Sequence, residues 1–324
     1  MHRGYKLIPR HRYPEPQAMA SGIAPKEYHS VYPAIAPEKL VGALEGKVAL
    51  VTGAGRGLGK AISLTLAHAG AHVALLARTK AQLDEVAQEI ETKYHRKTLV
   101  LPVDVTIQSD VAAAFEKTEN GLNKLDILVA NAGMVLWRPF VFCNFDEDFW
   151  RVMEVNFRAP LFIIQLAMKS MRERSSGTII ATSSLSVLQS FPGIASYTAS
   201  KVALDAAIGA LQKELDAPGE SGIQMYAVNP GLVKTEIFDG YKQHEEELEK
   251  MKPGTVKWWD ELLENPTETS ELWAQTCVYL AAGKAKELRG RHIDVFKDIE
   301  SIVEQSEIVK RENLYEMGVR QLGG

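Results

Sequence analysis

Val48-Ala49-Leu50-Val51-Thr52-Gly53-Ala54-Gly55-Arg56-Gly57-Leu58-Gly59 joins two unlike patterns. Val48–Thr52 is a short apolar run, the signature of a buried strand. The apolar spacing from Leu58 to Ala69 is that of a helix. Gly53, Gly55 and Gly57 lie between them, and Gly59 stands in the first turn of the helix. Glycine lets a backbone turn sharply and approach a pyrophosphate closely. A helix N-terminus then offers unpaired N–H groups and a favourable dipole to the anion. The spacing reads T-G-x-x-x-G-x-G, with Leu58 where the third glycine of G-x-G-x-x-G would fall counting from Gly53. Such a turn fits a dinucleotide site, and it also fits a tight turn in an α/β protein that binds nothing.

Outward from this turn, apolar runs recur at Val73–Ala77, Leu99–Val103, Leu125–Ala130, Gly177–Ala181, Ile223–Val228 and His292–Val295, with Lys47–Thr52 as the first. Helical patterns separate them, at Ala81–Lys93, Phe149–Arg172 and Tyr197–Leu215 among others. This alternation predicts an α/β fold: a doubly wound, parallel sheet of about seven strands with helices on both faces. The catalytic domain is expected over 46–300. One interval breaks the rhythm. From Leu232 to Glu264, ahead of a helix near Thr267–Ala282, no strand is predicted. The interval carries Phe238, Tyr241, Trp258, Trp259 and the acidic run Glu245–Glu249. A long insertion at a strand's carboxyl end suggests a lid over an apolar pocket. The tryptophans fit equally well as anchors of the insertion to the core. Met134, Leu136, Trp137 and Phe191 are expected on the same cleft.

Residues 1–45 hold six of the 14 prolines, which favours an extended, irregular segment. A disordered tail and an arm lying on the domain or on a partner subunit are both compatible with it. The charged stretch 301–324 is expected to be a surface tail, beginning just after Phe296. The composition is 46% hydrophobic and 24% charged, that of a globular protein with a sizeable core. A net charge of −4 gives no basic surface for nucleic acid or anionic membrane. No run of about 20 apolar residues is present to span a bilayer. Cys143 and Cys277 make neither a disulfide framework nor a metal-ligand spacing, so a reducing cytoplasmic setting is expected. No metal site is expected, since His68, His72 and His95 lack partnering carboxylates at ligand spacing.

Several further motifs carry a resemblance. Asn131-Ala132-Gly133 follows the fourth strand, Tyr197-Thr198-Ala199-Ser200-Lys201 reads Y-x-x-x-K, and Asn229-Pro230-Gly231 follows the sixth strand. Ser184 lies thirteen residues before Tyr197, and Asn156 lies in the helix after Gly133. Together with Thr52–Gly59, over about residues 46–297, the chain resembles the short-chain dehydrogenases/reductases. The resemblance implies a Rossmann sheet of order 3-2-1-4-5-6-7. It implies Tyr197 as acid/base, Lys201 tuning it and holding the nicotinamide ribose, Ser184 polarising the carbonyl, and Asn156 supporting a proton relay through a water. Ser183 and Ser186 compete with Ser184 on residue type, and the family's interval selects Ser184. Cofactor contacts are expected from Gly53, Arg56, Gly57, Leu58, Gly59, Arg78, Asp104, Val105, Asn131, Gly133, Tyr197, Lys201, Pro230, Gly231, Val233 and Thr235. A homotetramer or homodimer is implied, pairing the Phe149–Arg172 and Tyr197–Leu215 helices.

The chemistry of these residue types agrees. Free tyrosine, with a pKa of about 10, is a poor base near neutrality. A cation one helical turn away favours the phenolate. The nicotinamide is read from charge. NAD offers a ribose hydroxyl that an Asp or Glu about 20 residues past the glycines can bind. From Lys60 to Leu83 no acidic residue occurs, whereas Arg78 follows the second strand and Arg56 sits in the turn. Guanidinium groups bind a 2′-phosphate, so NADP(H) is favoured over NAD(H). The expected activity is interconversion of a secondary alcohol and a ketone on a small-molecule substrate that is bulky and apolar. A non-redox family reaction and a cofactor-binding scaffold without turnover are the rivals.

Overall fold

Buried residues, all but Ala49 branched, form β1 (Val48–Thr52), and six more strands lie beside it. They are β2 (His72–Ala77), β3 (Thr98–Pro102), β4 (Ile127–Ala130), β5 (Gly177–Thr182), β6 (Ile223–Asn229) and β7 (His292–Asp294). The structure, a computed structural model, describes residues 22–217 and 222–318. All seven strands are parallel, in the order β3-β2-β1-β4-β5-β6-β7. The order reverses between β1 and β4, and a crevice opens at the carboxyl ends of strands at such a switch. Thr52 stitches this point together. Its hydroxyl oxygen accepts the N–H groups of Asn131 and Ala132 at 2.9 and 3.0 Å.

Alternate strand residues feed two cores, as the two faces of a pleat require. Ala49, Val51, Val73, Leu75 and Val129 meet α1 (Gly57–His68), α2 (Lys80–Tyr94) and α8 (Ser270–Ala281). Leu50, Ala74, Leu76, Leu128 and Ile179 meet α3 (Gln108–Leu122), α4 (Ala159–Arg172) and α5 (Ala195–Asp216). The remaining α-helices of more than four residues, among those described, are α6 (Glu245–Met251) and α7 (Thr255–Leu263) of the insertion, then α9 (Ile299–Glu304) and α10 (Ser306–Arg311).

Three sequence expectations are refined. The Phe149–Arg172 stretch is helical throughout but not α-helical throughout, because π-helical turns at Phe145–Trp150 and Glu154–Arg158 precede α4. Pro160 has no N–H to return to the carbonyl of Asn156, four residues back, so the α-ladder cannot run through this point. Of the Pro-rich segment, residues 1–21 lie outside the described residues. Residues 22–45 lie against the domain, with Tyr32, Ile35, Leu40 and Leu44 buried in the α1/α2/α8 core. Tyr28 stacks on Tyr32 at 4.4 Å and donates its N–H to the Phe296 carbonyl at 2.7 Å. Finally, the surface tail expected after Phe296 is corrected as far as residue 318. It folds into α9 and α10, and Ile299, Ile302 and Val309 are buried. Residues 319–324 lie outside the described residues.

Candidate active site

The glycine turn is built by close approach. Gly53 has φ +68, and a Cβ there would stand 3.0 Å from Ala132 Cα. A Cβ on Gly59 would meet the Gly53 carbonyl oxygen at 2.0 Å. The turn therefore packs directly on the β4 loop, where Asn131 donates its side-chain amide to the Thr52 carbonyl at 3.0 Å. It delivers the first turn of α1 to the crevice with no side-chain cap and no acidic residue, so its N–H groups stay available to an anion.

The crevice is about 1570 Å³, larger than a typical small-ligand pocket of roughly 300–1,000 Å³. Its walls include Gly53, Arg56, Gly57, Leu58, Gly59, Arg78, Asp104, Val105, Asn131, Gly133, Pro230, Gly231, Val233 and Thr235, with Ser184, Tyr197 and Lys201 on the same cavity. Thr79 and Gln82 join Arg78 there, and no spacing rule pointed to them. Arg78 is exposed and has no ion pair among the described residues. Arg56 differs, because its guanidinium pairs with Glu236 of the insertion. Burial alone would raise the pKa of Asp104, but the N–H and hydroxyl of Thr106, with Arg151 and Arg78 nearby, hold it below the usual value.

Tyr197 and Lys201 sit in the first two turns of α5, facing the end of β5. Ser184 is the second residue after β5, and its oxygen accepts the Ser186 N–H at 3.1 Å. The hydroxyl proton of Ser184 is thereby left to donate. Burial raises the Tyr197 pKa, and the Ser184 hydroxyl beside it offsets part of that rise. Lys201 is 4% exposed and donates to the Thr182 carbonyl at 2.7 Å, with its Nζ 5.7 Å from the Tyr197 ring centre. Burial lowers its pKa to about 8, against the pull of Asp205. The sequence reading let the ammonium lower the phenol's pKa; in this arrangement desolvation of the phenol prevails instead.

Asn156 does not line the cavity. It is fully buried in the π-turn before α4, and its amide clamps Met134, accepting the Met134 N–H at 2.9 Å and donating to its carbonyl at 2.8 Å. The second amide proton goes to Ser200 Oγ at 3.1 Å. Only a lone pair on Oδ1 remains, so this amide has little capacity left for the water of the expected relay.

Above the tyrosine the insertion forms its own small core. Trp259 stands edge-on to Trp137 at 4.5 Å, with Tyr241, Leu248 and Val256 around them. Trp259 is thus an anchor, while Trp258 is half-buried on the cavity wall beside Phe191, 6.0 Å between ring centres. Met134, Val135, Trp137 and Phe238 also line the wall; Leu136 does not. The N-terminal arm contributes Glu27 and His29, and His29 Nδ1 lies 2.9 Å from Glu268. No sequence signal could have found this contact, since 239 residues separate the pair. Among the described residues no group of three or more His, Cys, Asp or Glu is placed to hold a metal ion, and no helix is long and apolar enough to cross a membrane.

The glycine cradle, the uncapped α1 terminus and the size of the crevice fit a dinucleotide. Known proteins agree. Residues 47–246 match the family model described as short chain dehydrogenase. A short chain dehydrogenase from Pseudocercospora fijiensis is 34% identical over 286 residues, covering 85% of this chain and 88% of that protein. An uncharacterized oxidoreductase from Staphylococcus saprophyticus is 35% identical over 60% of this chain and 81% of its own length. A crystal structure of a short-chain type dehydrogenase/reductase from Mycobacterium marinum superposes with a TM-score of 0.67 at 29% identity, over 80% of this chain and 97% of that one. On matches of this extent, carried by the same sheet, the chain belongs to the short-chain dehydrogenase/reductase family of NAD(P)(H)-dependent oxidoreductases.

Proposed function

We propose that this oxidoreductase interconverts a secondary alcohol and a ketone on a bulky, largely apolar substrate, using NADP(H), with Tyr197 as acid/base. The observation that carries the reading is the placement of Ser184, Tyr197 and Lys201 on the same cavity wall system as the glycine turn. NADPH, when bound, supplies a hydride to the carbonyl carbon. The Tyr197 phenol, kept protonated by burial, gives its proton to the oxygen that gains charge. Ser184 donates a hydrogen bond to the same oxygen. Lys201 spends one proton on the Thr182 carbonyl and keeps two for hydroxyl partners beside Tyr197. Asn156 acts by fixing the Met134 loop that faces them.

Arg78, exposed on the cavity and in no ion pair among the described residues, favours a 2′-phosphate. Trp137, Phe191, Phe238 and Trp258 favour an apolar substrate over a sugar. Association of copies is supported by exposed Phe140, Phe145 and Trp150 next to α4, and by exposed Ala206 and Ala210 on α5. We expect a homodimer or homotetramer by sedimentation at micromolar concentration; a monomer contradicts it. The activity is tested with a panel of ketones and alcohols and both cofactors, followed at the nicotinamide absorbance band. Turnover of hydrophobic ketones with NADPH is expected. NADPH binding without redox turnover on any member contradicts the reading and leaves the non-redox alternatives.

A further inference from the structure

Behind Lys201 the core holds three ionisable side chains that the reaction above does not use. Asp205 lies one helical turn beyond Lys201 on α5, while His292 and Asp294 share a face of β7. Their exposures are 5%, 6% and 3%. His292 Nδ1 stands 2.6 Å from Asp205 Oδ2, and its Nε2 stands 3.2 Å from Asp294 Oδ1. Ionised carboxylates only accept hydrogen bonds, so a ring flanked on both nitrogens carries both protons and is a cation. The other groups around the cluster come from every neighbouring element. Ser183, after β5, lies 3.5 Å from His292 Nδ1. Asn229 of β6 donates to Asp294 at 2.8 Å, Lys297 lies 3.9 Å from Asp294, and the Tyr315 carbonyl accepts the His292 N–H at 2.8 Å.

The signs alternate along the row: Lys201 positive, Asp205 negative, His292 positive, Asp294 negative, Lys297 positive. One oxygen of Asp205 is buried with no hydrogen-bond partner among the described residues. His292 therefore answers only part of that carboxylate's charge. The rest acts on the helix face shared with Lys201, whose own ionisable neighbours are Tyr197 and Asp205. Buried ion pairs are a weak source of stability, because desolvation cancels most of the attraction. Control of a neighbouring group's protonation is the use to which such a row beside a reactive lysine is suited.

We propose that Asp205 and His292 are positioning residues for Lys201: Asp205 keeps the buried ammonium charged, and His292 limits that effect by sharing the same carboxylate. The consequence for turnover rests on the role given to Lys201 above, but the coupling itself does not. It is tested on the full-length protein without cofactor, with lysine labelled at 13Cε. The Lys201 resonance is assigned by its loss in Lys201→Arg. Asp205→Asn should lower the titration midpoint of Lys201, and His292→Gln should raise it, each by about one pH unit. Displacements of opposite sign are the signature, because lost packing has no reason to separate the two variants in this way. An unmoved Lys201, or displacement in the same direction in both, overturns the proposal. A second measurement needs no substitution. The 15N shifts of the His292 ring in the native protein should report both nitrogens protonated at pH 8, in keeping with a pKa raised to about 10 by the two carboxylates against the cost of burial. A neutral ring at that pH overturns it equally. Failure of the alcohol–ketone reading would leave both measurements in place, so the two failures are distinguishable.

Discussion

Arg78 and Arg56 look equivalent in sequence, and their surroundings separate them. Arg78 follows β2 and makes no ion pair among the described residues, although Asp104 is near, whereas Arg56 is held by Glu236. A charged hydrogen bond to a phosphate contributes roughly 1.5–3 kcal/mol. Arg78→Ala should therefore weaken NADPH about tenfold or more while leaving NADH nearly unchanged, measured by fluorescence titration. Arg56→Ala should discriminate less, since part of its charge is already engaged. Equal weakening of both cofactors by Arg78→Ala contradicts the phosphate reading. The glycine turn and the Tyr197–Lys201 pair were legible because each is a local spacing. The partner of Arg56, 180 residues later, has no local signal. The same limit hid the task of Asn156: its residue type was visible, but its bonds to Met134 depend on a π-turn that only Pro160 hinted at.

At the scale of elements, the sheet was readable strand by strand because buried parallel strands are short apolar runs bounded by polar or glycine residues. The insertion was not. Its helices α6 and α7 span seven and nine residues, too short for a helical period to stand out from a loop. What holds them became visible only in three dimensions. Arg138 bonds Glu247 of α6 twice at 2.8 Å and Asp148 once at 2.8 Å, fastening α6 to the turn before α4. Trp259 roots α7 on Trp137. A lid that closes over substrate must therefore strain or release these fastenings, pivoting near Gly254, which has φ +86. Hydrogen exchange should be fast across 238–264 in the free protein and should slow on adding NADPH with a substrate analogue. Full protection before any ligand is added contradicts a lid and makes the segment a fixed wall.

For the whole molecule, the buried charge row makes stability depend on pH in a defined way. His292 has its pKa raised from 6.5 to about 10 in the fold. A raised histidine contributes stability that is fully present below about 6.5 and is lost as pH rises through about 10. Lys201 is lowered from 10.5 to about 8, so the unfolded chain binds the extra proton above 8 and stability gains there with rising pH. The two slopes oppose. Unfolding midpoints in urea should fall from pH 6.5 to 8 and then level off, until the buried Cys277 thiol, raised by desolvation, adds a decline near 9 and above. His292→Gln should remove the first fall. A native profile that is flat from 6.5 to 8 contradicts a charged His292 in the core. Beyond Lys201, none of this row was legible beforehand, because it joins positions on α5 and β7 that sequence order keeps 87 residues apart.

The central claim is that Tyr197 transfers the proton. Tyr197→Phe removes that proton and leaves the ring packed against the Trp137–Trp259 cluster. Turnover and NADPH affinity are to be measured together on one preparation. The account predicts a loss of at least ~10²-fold in turnover with NADPH binding largely kept. Near-native turnover by the Phe variant would contradict it.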